Sequence, residues 1–186
     1  MTGFLDREIT DLTYRDHFGT LKRQIQQLEE LINRLLFFIE VHKNNLYEKI
    51  DLKEIESIID RIRMRYPEKK ASVHQDIKTD GLYYWQYVIV DELLENSFKF
   101  CNKSQLELWM RIHPHFLEVE DNGPGIPSEE KEKIFEPFYQ IEKYITYNVP
   151  GVGLGLTLVR RLAELEGGEV RVENRKSGGL KVRIMF

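Results

Sequence analysis

Cysteine is all but absent. Cys101 is the only one in 186 residues, which excludes an intramolecular disulfide and a cysteine-based metal site and points to a reducing, cytoplasmic setting. Long apolar runs are missing as well. The longest, Leu35-Leu36-Phe37-Phe38-Ile39, falls far short of the ~20 residues a membrane span requires, and no stretch has the layout of a secretory signal peptide. If the chain serves a membrane receptor, the anchor lies outside this sequence. Excess charge is missing too: 27 Lys and Arg against 31 Asp and Glu leave a formal charge of −4, so there is no electrostatic footprint for nucleic acid or an anionic membrane. A mildly negative chain that binds a polyanion must do so with local devices: backbone amides, a helix start, a metal ion.

What is present suits a soluble globular protein with a sizeable core, 41% hydrophobic and 31% charged. The length fits one domain with an appendage. Residues 1–47 read as a helical segment and residues 48–186 as the domain. Within the first, Leu21, Ile25, Leu28, Ile32, Leu35 and Ile39 repeat at alternating steps of four and three, with polar residues between. This is a heptad seam on a helix over about 20–43, which cannot bury its stripe alone and calls for a partner helix. An acidic start at Asp51 predicts a second helix to about Met64, stopped by Pro67. Ala71–Ile77 reads as a strand, 82–100 as a long helix, and Gln105–Ile112 and Phe116–Glu120 as alternating strands around His113-Pro114-His115. A short helix over 128–134, a helix opened by the glycines at 151–155, and strands Val170–Glu173 and Leu180–Phe186 complete the pattern. The predicted class is α+β, a two-layer sandwich of helices on a largely antiparallel sheet, behind a coiled-coil-like helix.

Three local motifs carry chemistry. Glu92, Asn96 and Lys99 fall at i, i+4 and i+7 and share one helical face. An amide oxygen suits Mg²⁺, an ammonium suits phosphate, and a carboxylate suits a base; alone, such a face is more often a solvated polar stripe. Asp121-Asn-Gly-Pro-Gly-Ile126 follows a strand. Its carboxylate can accept a hydrogen bond from an exocyclic amine such as that of adenine, and Gly123 and Gly125 let the backbone pass close beneath a flat ring; an ordinary Asn-Gly turn accounts for it in isolation. Gly151-Val-Gly-Leu-Gly-Leu156 opens a helix, where exposed N–H groups and the helix dipole favour phosphate. It is no Rossmann turn, because Pro150 rather than a strand precedes it, and it lacks the ending of a P-loop. The weight lies in their joint occurrence and order.

That order, with Ile134-Phe135-Glu136-Pro137-Phe138 between the second and third motifs, resembles the N, G1, F and G2 boxes of bacterial sensor histidine kinases. These belong to the Bergerat-fold ATPase superfamily shared with gyrase and MutL-type repair proteins. The resemblance covers about residues 20–186, since Leu28–Glu40 followed by Lys49-Ile-Asp-Leu is similar to the second helix of the family's dimerisation hairpin. It implies that Asn96 ligates Mg²⁺ and that Lys99 and Phe100 contact ATP. Asp121 would bind the adenine amine, with Gly123, Gly125 and Ile126 shaping that wall. Gln140–Pro150 would form a mobile lid hinged at Gly151, Gly153 and Gly155, and Tyr139, Val152, Leu154, Leu156 and Thr157 would complete the nucleotide site.

Three departures qualify the resemblance. Glu92 stands where many of these kinases have Asn, which leaves hydrolysis or a different acceptor open. Leu180 replaces a usual Thr near the last strand, a change expected to matter little. None of the five histidines fits the phosphoacceptor motif. His17 is nearest, yet lacks the acidic neighbour and the Pro; His42 continues the heptad stripe, His74 lies in a strand, and His113 and His115 are expected to be solvated. A truncated or degenerate first hairpin helix is therefore expected. The implied function is transfer of the ATP γ-phosphoryl to a histidine on a dimerisation helix, in a homodimer or supplied by a partner hairpin, and onward to a response-regulator receiver domain. The alternative is a nucleotide-gated ATPase or interaction switch without phosphohistidine. An anti-sigma-type serine kinase fits less well with the Phe box and heptads, and a scaffold that no longer binds ATP fits poorly with intact Asn96, Asp121 and glycines.

Overall fold

The computed structural model describes residues 46–141 and 151–186. The predicted heptad helix, with His17 and His42, lies outside them.

Strand β4 (Gln105–His113) sets the architecture. Its even positions Leu106, Leu108, Met110 and Ile112 are all but fully buried, while the odd ones remain partly exposed, as period-two alternation requires of a sheet covered on one face. β4 pairs in parallel with β2 (Lys70–Ile77) and antiparallel with β5 (Phe116–Asp121). β5 in turn pairs with β7 (Leu180–Met185), and β7 with β6 (Glu169–Asn174), giving the order β2-β4-β5-β7-β6. Leu117, Val119, Val182 and Ile184 extend the apolar face.

Three helices cover that face. α1 (Lys53–Arg65) buries Ile55, Ile58, Ile59 and Ile62, a single stripe at helical spacing. Its acidic first turn and basic last turn complement the helix dipole, and Asp51 Oδ1 accepts the Lys53 N–H at 2.9 Å. α2 (Tyr84–Phe100) is buried along most of its length, including Ile89, Leu94 and Phe98. α3 (Gly155–Leu165) contributes Leu158, Val159, Leu162 and Ala163. The result is the predicted α+β two-layer sandwich.

Local corrections have physical causes. The long helix begins at Tyr84 rather than 82, because Leu82–Tyr83 form a short strand (β3) paired with Lys49–Ile50 (β1). There the Tyr83 N–H is capped by Gln86 Oε1 at 2.9 Å. The helix expected over 128–134 is two 3₁₀ turns, Ser128–Glu130 and Lys133–Phe135, too short a segment to sustain α geometry. His113 is half-buried, bonded to Asp76 at 3.1 Å and stacked on Phe116 at 4.5 Å, whereas His115 is exposed as expected.

The opposite sheet face carries mostly charged side chains, and one of them is buried. Glu118 is 1% exposed. It sits in register between Arg111 on β4 and Arg183 on β7, and binds the first through a short contact and the second at 2.6 Å. Glu118→Leu strands the Arg183 guanidinium and leaves Arg111 with Glu120 at 2.5 Å; both keep some water contact, so the expected loss is about 1–2 kcal/mol, below the ~3–5 of a fully buried pair. Urea unfolding of the two proteins checks this; equal midpoints would show that the ladder contributes nothing net.

Candidate functional site

The C-terminal half of α2, the end of β5 and the start of α3 converge on one cavity of about 1090 Å³, its open mouth included. Of the residues nominated from sequence, Asn96, Lys99, Phe100, Asp121, Gly125, Ile126, Tyr139, Gly153, Gly155 and Leu156 line it. Glu92, Gly123, Gly151, Val152, Leu154 and Thr157 are not among the lining residues. Glu92 is one helical turn before Asn96, half-buried. Gly123 gives its N–H to Asp121 Oδ1, Leu154 gives its carbonyl to the Leu158 N–H at 2.9 Å, and Thr157 carries a buried hydroxyl with no hydrogen-bond partner among the described residues. The sequence reading missed the apolar wall: Leu93, Val119 and Val182, with Leu180, which it had set aside. A signal existed, since Val119 and Val182 are register partners on the buried face and Leu93 precedes Asn96 by three.

Asp121 is held from several directions. Its Oδ1 accepts the Gly123 N–H at 2.8 Å and the Leu180 N–H at 3.1 Å, and its carbonyl accepts Arg175 Nη1 at 2.7 Å. Burial raises the carboxyl above the ordinary aspartate range; the two backbone donors, Arg175 and the Ser97 hydroxyl pull the other way without cancelling it. An Asp in this place spends its first oxygen on the Gly123 and Leu180 amides and can present the second to a ligand donor.

The glycines answer to close approaches. Gly125 has φ +66°, and a Cβ there would lie 2.6 Å from Asn174 Oδ1. That oxygen accepts the Ile126 N–H at 2.9 Å while Asn174 Nδ2 donates to the Ile126 carbonyl at 2.6 Å, so β6 clamps the loop. Gly153, at φ +73°, faces the Phe138–Tyr139 backbone with no room for a side chain and accepts the Phe138 N–H at 3.0 Å. Lys99 Nζ occupies the space a Cβ on Gly151 would need, and Gln140 Nε2 donates to the Gly151 carbonyl at 2.5 Å. Of the expected lid, Gln140, Ile141 and the hinge glycines are described; Gln140 and Ile141 line the cavity, and residues 142–150 lie outside the described residues.

The Phe-containing segment is an anchor. Ile134 and Phe135 are buried, with the Arg160 guanidinium of α3 4.1 Å over the Phe135 ring. Phe138 adopts φ +66° and is 62% exposed. Among the described residues no cluster of three His, Cys, Asp or Glu could hold a metal alone. Asn96, one oxygen ligand in a cavity wide enough for phosphates, fits Mg²⁺, which keeps water and substrate oxygens in its shell.

Comparison with known proteins gives this geometry a family. The model of the histidine kinase-, DNA gyrase B- and HSP90-like ATPases matches residues 85–186, more than half of the chain. The chain belongs to this family. Sensor protein RstB of Escherichia coli is 30% identical over 94% of this chain and 42% of its own length. Sensor histidine kinase GtrS of Pseudomonas aeruginosa is 27% identical over 95% of this chain and 36% of its own. The chain thus spans less than half of either curated relative. Among solved structures, the mycobacterial sensor histidine kinase MprB shares 25% identity at a TM-score of 0.56, covering 74% of this chain and 95% of that one. The Acinetobacter baumannii histidine kinase AdeS, at 22% identity and TM-score 0.63 over 90% of this chain and 82% of its own, shares the fold. The match begins at α2 and runs through β7, so this ATPase domain contains every element of the cavity. No helix among the described residues is long and apolar enough to cross a membrane.

The raised Asp121 carboxyl has a testable sign. A folded pKa above the unfolded one means stability present at low pH is lost as pH rises through the folded value. Asp121→Asn keeps an Oδ1 for the Gly123 and Leu180 amides without the buried charge. The variant without ligand is therefore expected to be at least as stable as the parent at pH 7, its advantage fading towards the ordinary aspartate range. Urea unfolding across pH reads this out, and a clear loss of stability at pH 7 would refute it.

Proposed function

We propose that the cavity binds Mg²⁺-ATP and that the chain is the ATP-binding catalytic portion of a two-component sensor histidine kinase. The observation that carries it is the convergence of a buried carboxylate, an apolar slot, and an amide–ammonium face opposite a glycine turn on one cavity. In this reading the adenine lies in the slot walled by Leu93, Val119, Leu180 and Val182, its amine donating to Oδ2 of Asp121. Phe100 and Ile126 pack against the base. The triphosphate extends towards Lys99 and the amides of Gly151–Gly155 at the start of α3, where the helix dipole favours negative charge. Mg²⁺, when bound, supplies charge neutralisation on the phosphate oxygens, with Asn96 as its protein ligand.

Catalysis is then positioning and electrostatics. The γ-phosphorus leaves the bridging oxygen of ADP and bonds to a ring nitrogen of a histidine on a dimerisation helix, and a receiver-domain carboxylate takes the group in a second transfer. The names of the relatives, two sensor proteins and two histidine kinases of signal transduction or sensing, support this reading over the nucleotide-gated switch. Dimerisation through the Leu21–Ile39 stripe and a cytoplasmic site of action belong to the same proposal.

Incubation with γ-labelled ATP and Mg²⁺ tests it. Label should appear, acid-labile and base-stable, on an added dimerisation hairpin carrying an acceptor histidine, and Asn96→Ala should abolish it. Release of free phosphate that depends on Glu92, with no label on any protein, would replace the kinase reading by the ATPase switch. Asp121→Asn turns an acceptor into a donor facing the adenine amine, so ATP affinity should fall by about 1–3 kcal/mol; calorimetry showing unchanged affinity would remove Asp121 from the site.

A further inference from the structure

The last turn of α2 lacks the device that ends many helices. Commonly a left-handed glycine just beyond the helix returns an N–H to an orphan carbonyl. Here the chain runs Phe98-Lys99-Phe100-Cys101-Asn102, and Cys101 leaves the helix extended, at φ −66° and ψ 123°. Its N–H reaches the Ser97 carbonyl at 3.2 Å. The carbonyls of Phe98, Lys99 and Cys101 are met by a single side chain from the connection between α1 and β2. Lys69 Nζ donates to Phe98 in a short hydrogen bond, to Cys101 at 2.9 Å and to Lys99 at 3.3 Å. An ammonium has three donors and no acceptor, so three carbonyls match it, and its charge meets the negative end of the helix dipole.

Lys69 is itself held in place. Its N–H donates to the Tyr66 carbonyl at 3.0 Å, and its Nζ lies 5.6 Å from the centre of the Tyr66 ring. That ring packs on Phe98 with centroids 6.2 Å apart, and its hydroxyl donates to Glu95 Oε1 at 2.8 Å. Burial holds the ammonium below the ordinary lysine value. Packing alone does not account for such a residue: an apolar side chain would fill the space but could donate to none of the three carbonyls.

Lys99, Phe100 and Cys101 line the nucleotide cavity, and Lys69 does not. We propose that Lys69 is a positioning residue for the nucleotide site: by gathering the carbonyls at the end of α2 it sets the pitch of the last turn, and with it the direction in which Lys99 and Phe100 enter the cavity. This rests on the ATP-binding reading above.

The test is titration of the full 186-residue chain with a non-hydrolysable ATP analogue and Mg²⁺, for the parent, Lys69→Met and Lys69→Arg, with carbonyl ¹³C shifts of residues 98–101 recorded alongside. Lys69→Met should bind roughly ten-fold more weakly, with shift changes confined to the end of α2 and an unchanged sheet spectrum. Lys69→Arg keeps the charge, but a flat guanidinium cannot converge on three carbonyls, so it should fall between the two. Parent-like affinity in Lys69→Met, or weakened binding with spectral changes spread through the sheet, would overturn the positioning role while leaving ATP binding intact. If Lys69→Met does not fold, the Arg variant decides, and parent-like affinity there would overturn the role. A parent chain that does not bind the analogue would overturn the ATP reading and this inference with it.

Discussion

The end of β5 is tied to the turn joining β6 and β7, and the geometry of the site follows from that closure. Asp121 receives the Leu180 amide on its side chain and Arg175 on its carbonyl, Asn174 grips Ile126 through both polar atoms, and Gly179, at φ +104°, presses on the Asp121 backbone where any Cβ would collide. Arg175 also pairs with Glu120 at 2.8 Å and covers Trp109 at 4.1 Å. Without this closure the loop over 122–126 would have no wall to lean on, and the carboxylate of Asp121 would be a solvated strand end.

The rest of the cavity is brought to that point by layer packing. The buried sheet face requires α2 and α3 to lie across it, and the 11-residue α3 begins where the glycine turn ends. Lys99 of α2 then comes against Gly151, and Phe135 is pinned beneath Arg160. Apolar burial, non-directional and large, sets the distance between helices and sheet; a few hydrogen bonds of about 1 kcal/mol each set the orientation of the polar groups. The opposite sheet face answers the same demand in another way, with Glu118 between Arg111 and Arg183.

The strands of the main sheet were legible because alternation in β4 and the glycines near β6–β7 state their period and their ends. β1 was not: two residues carry no period, and the pairing of Lys49–Ile50 with Leu82–Tyr83 is a long-range event that local propensity does not encode. The helix expected over 128–134 resolves into two 3₁₀ turns of three residues each, a distinction of length that local composition does not carry. In the site, residues with distinctive chemistry (Asn96, Lys99, Asp121 and the glycines) were legible, whereas the apolar wall looked like core. Lys69 had no signal, since a lysine between a helix and a strand is ordinarily solvated.

By itself the sequence determined the class, the order of the motifs and the family resemblance, because side-chain period, glycine positions and motif spacing are local properties. Only the tertiary structure decided that Leu180 belongs to the cavity wall, that Asp121 spends one oxygen on the Gly123 and Leu180 amides, and that Asn174 and Lys69 hold the site from outside. These contacts join residues tens of positions apart, 48 between Ile126 and Asn174 and 32 between Lys69 and Cys101. Their partners are chosen by the packing of helices on the sheet, which no local pattern in the chain records.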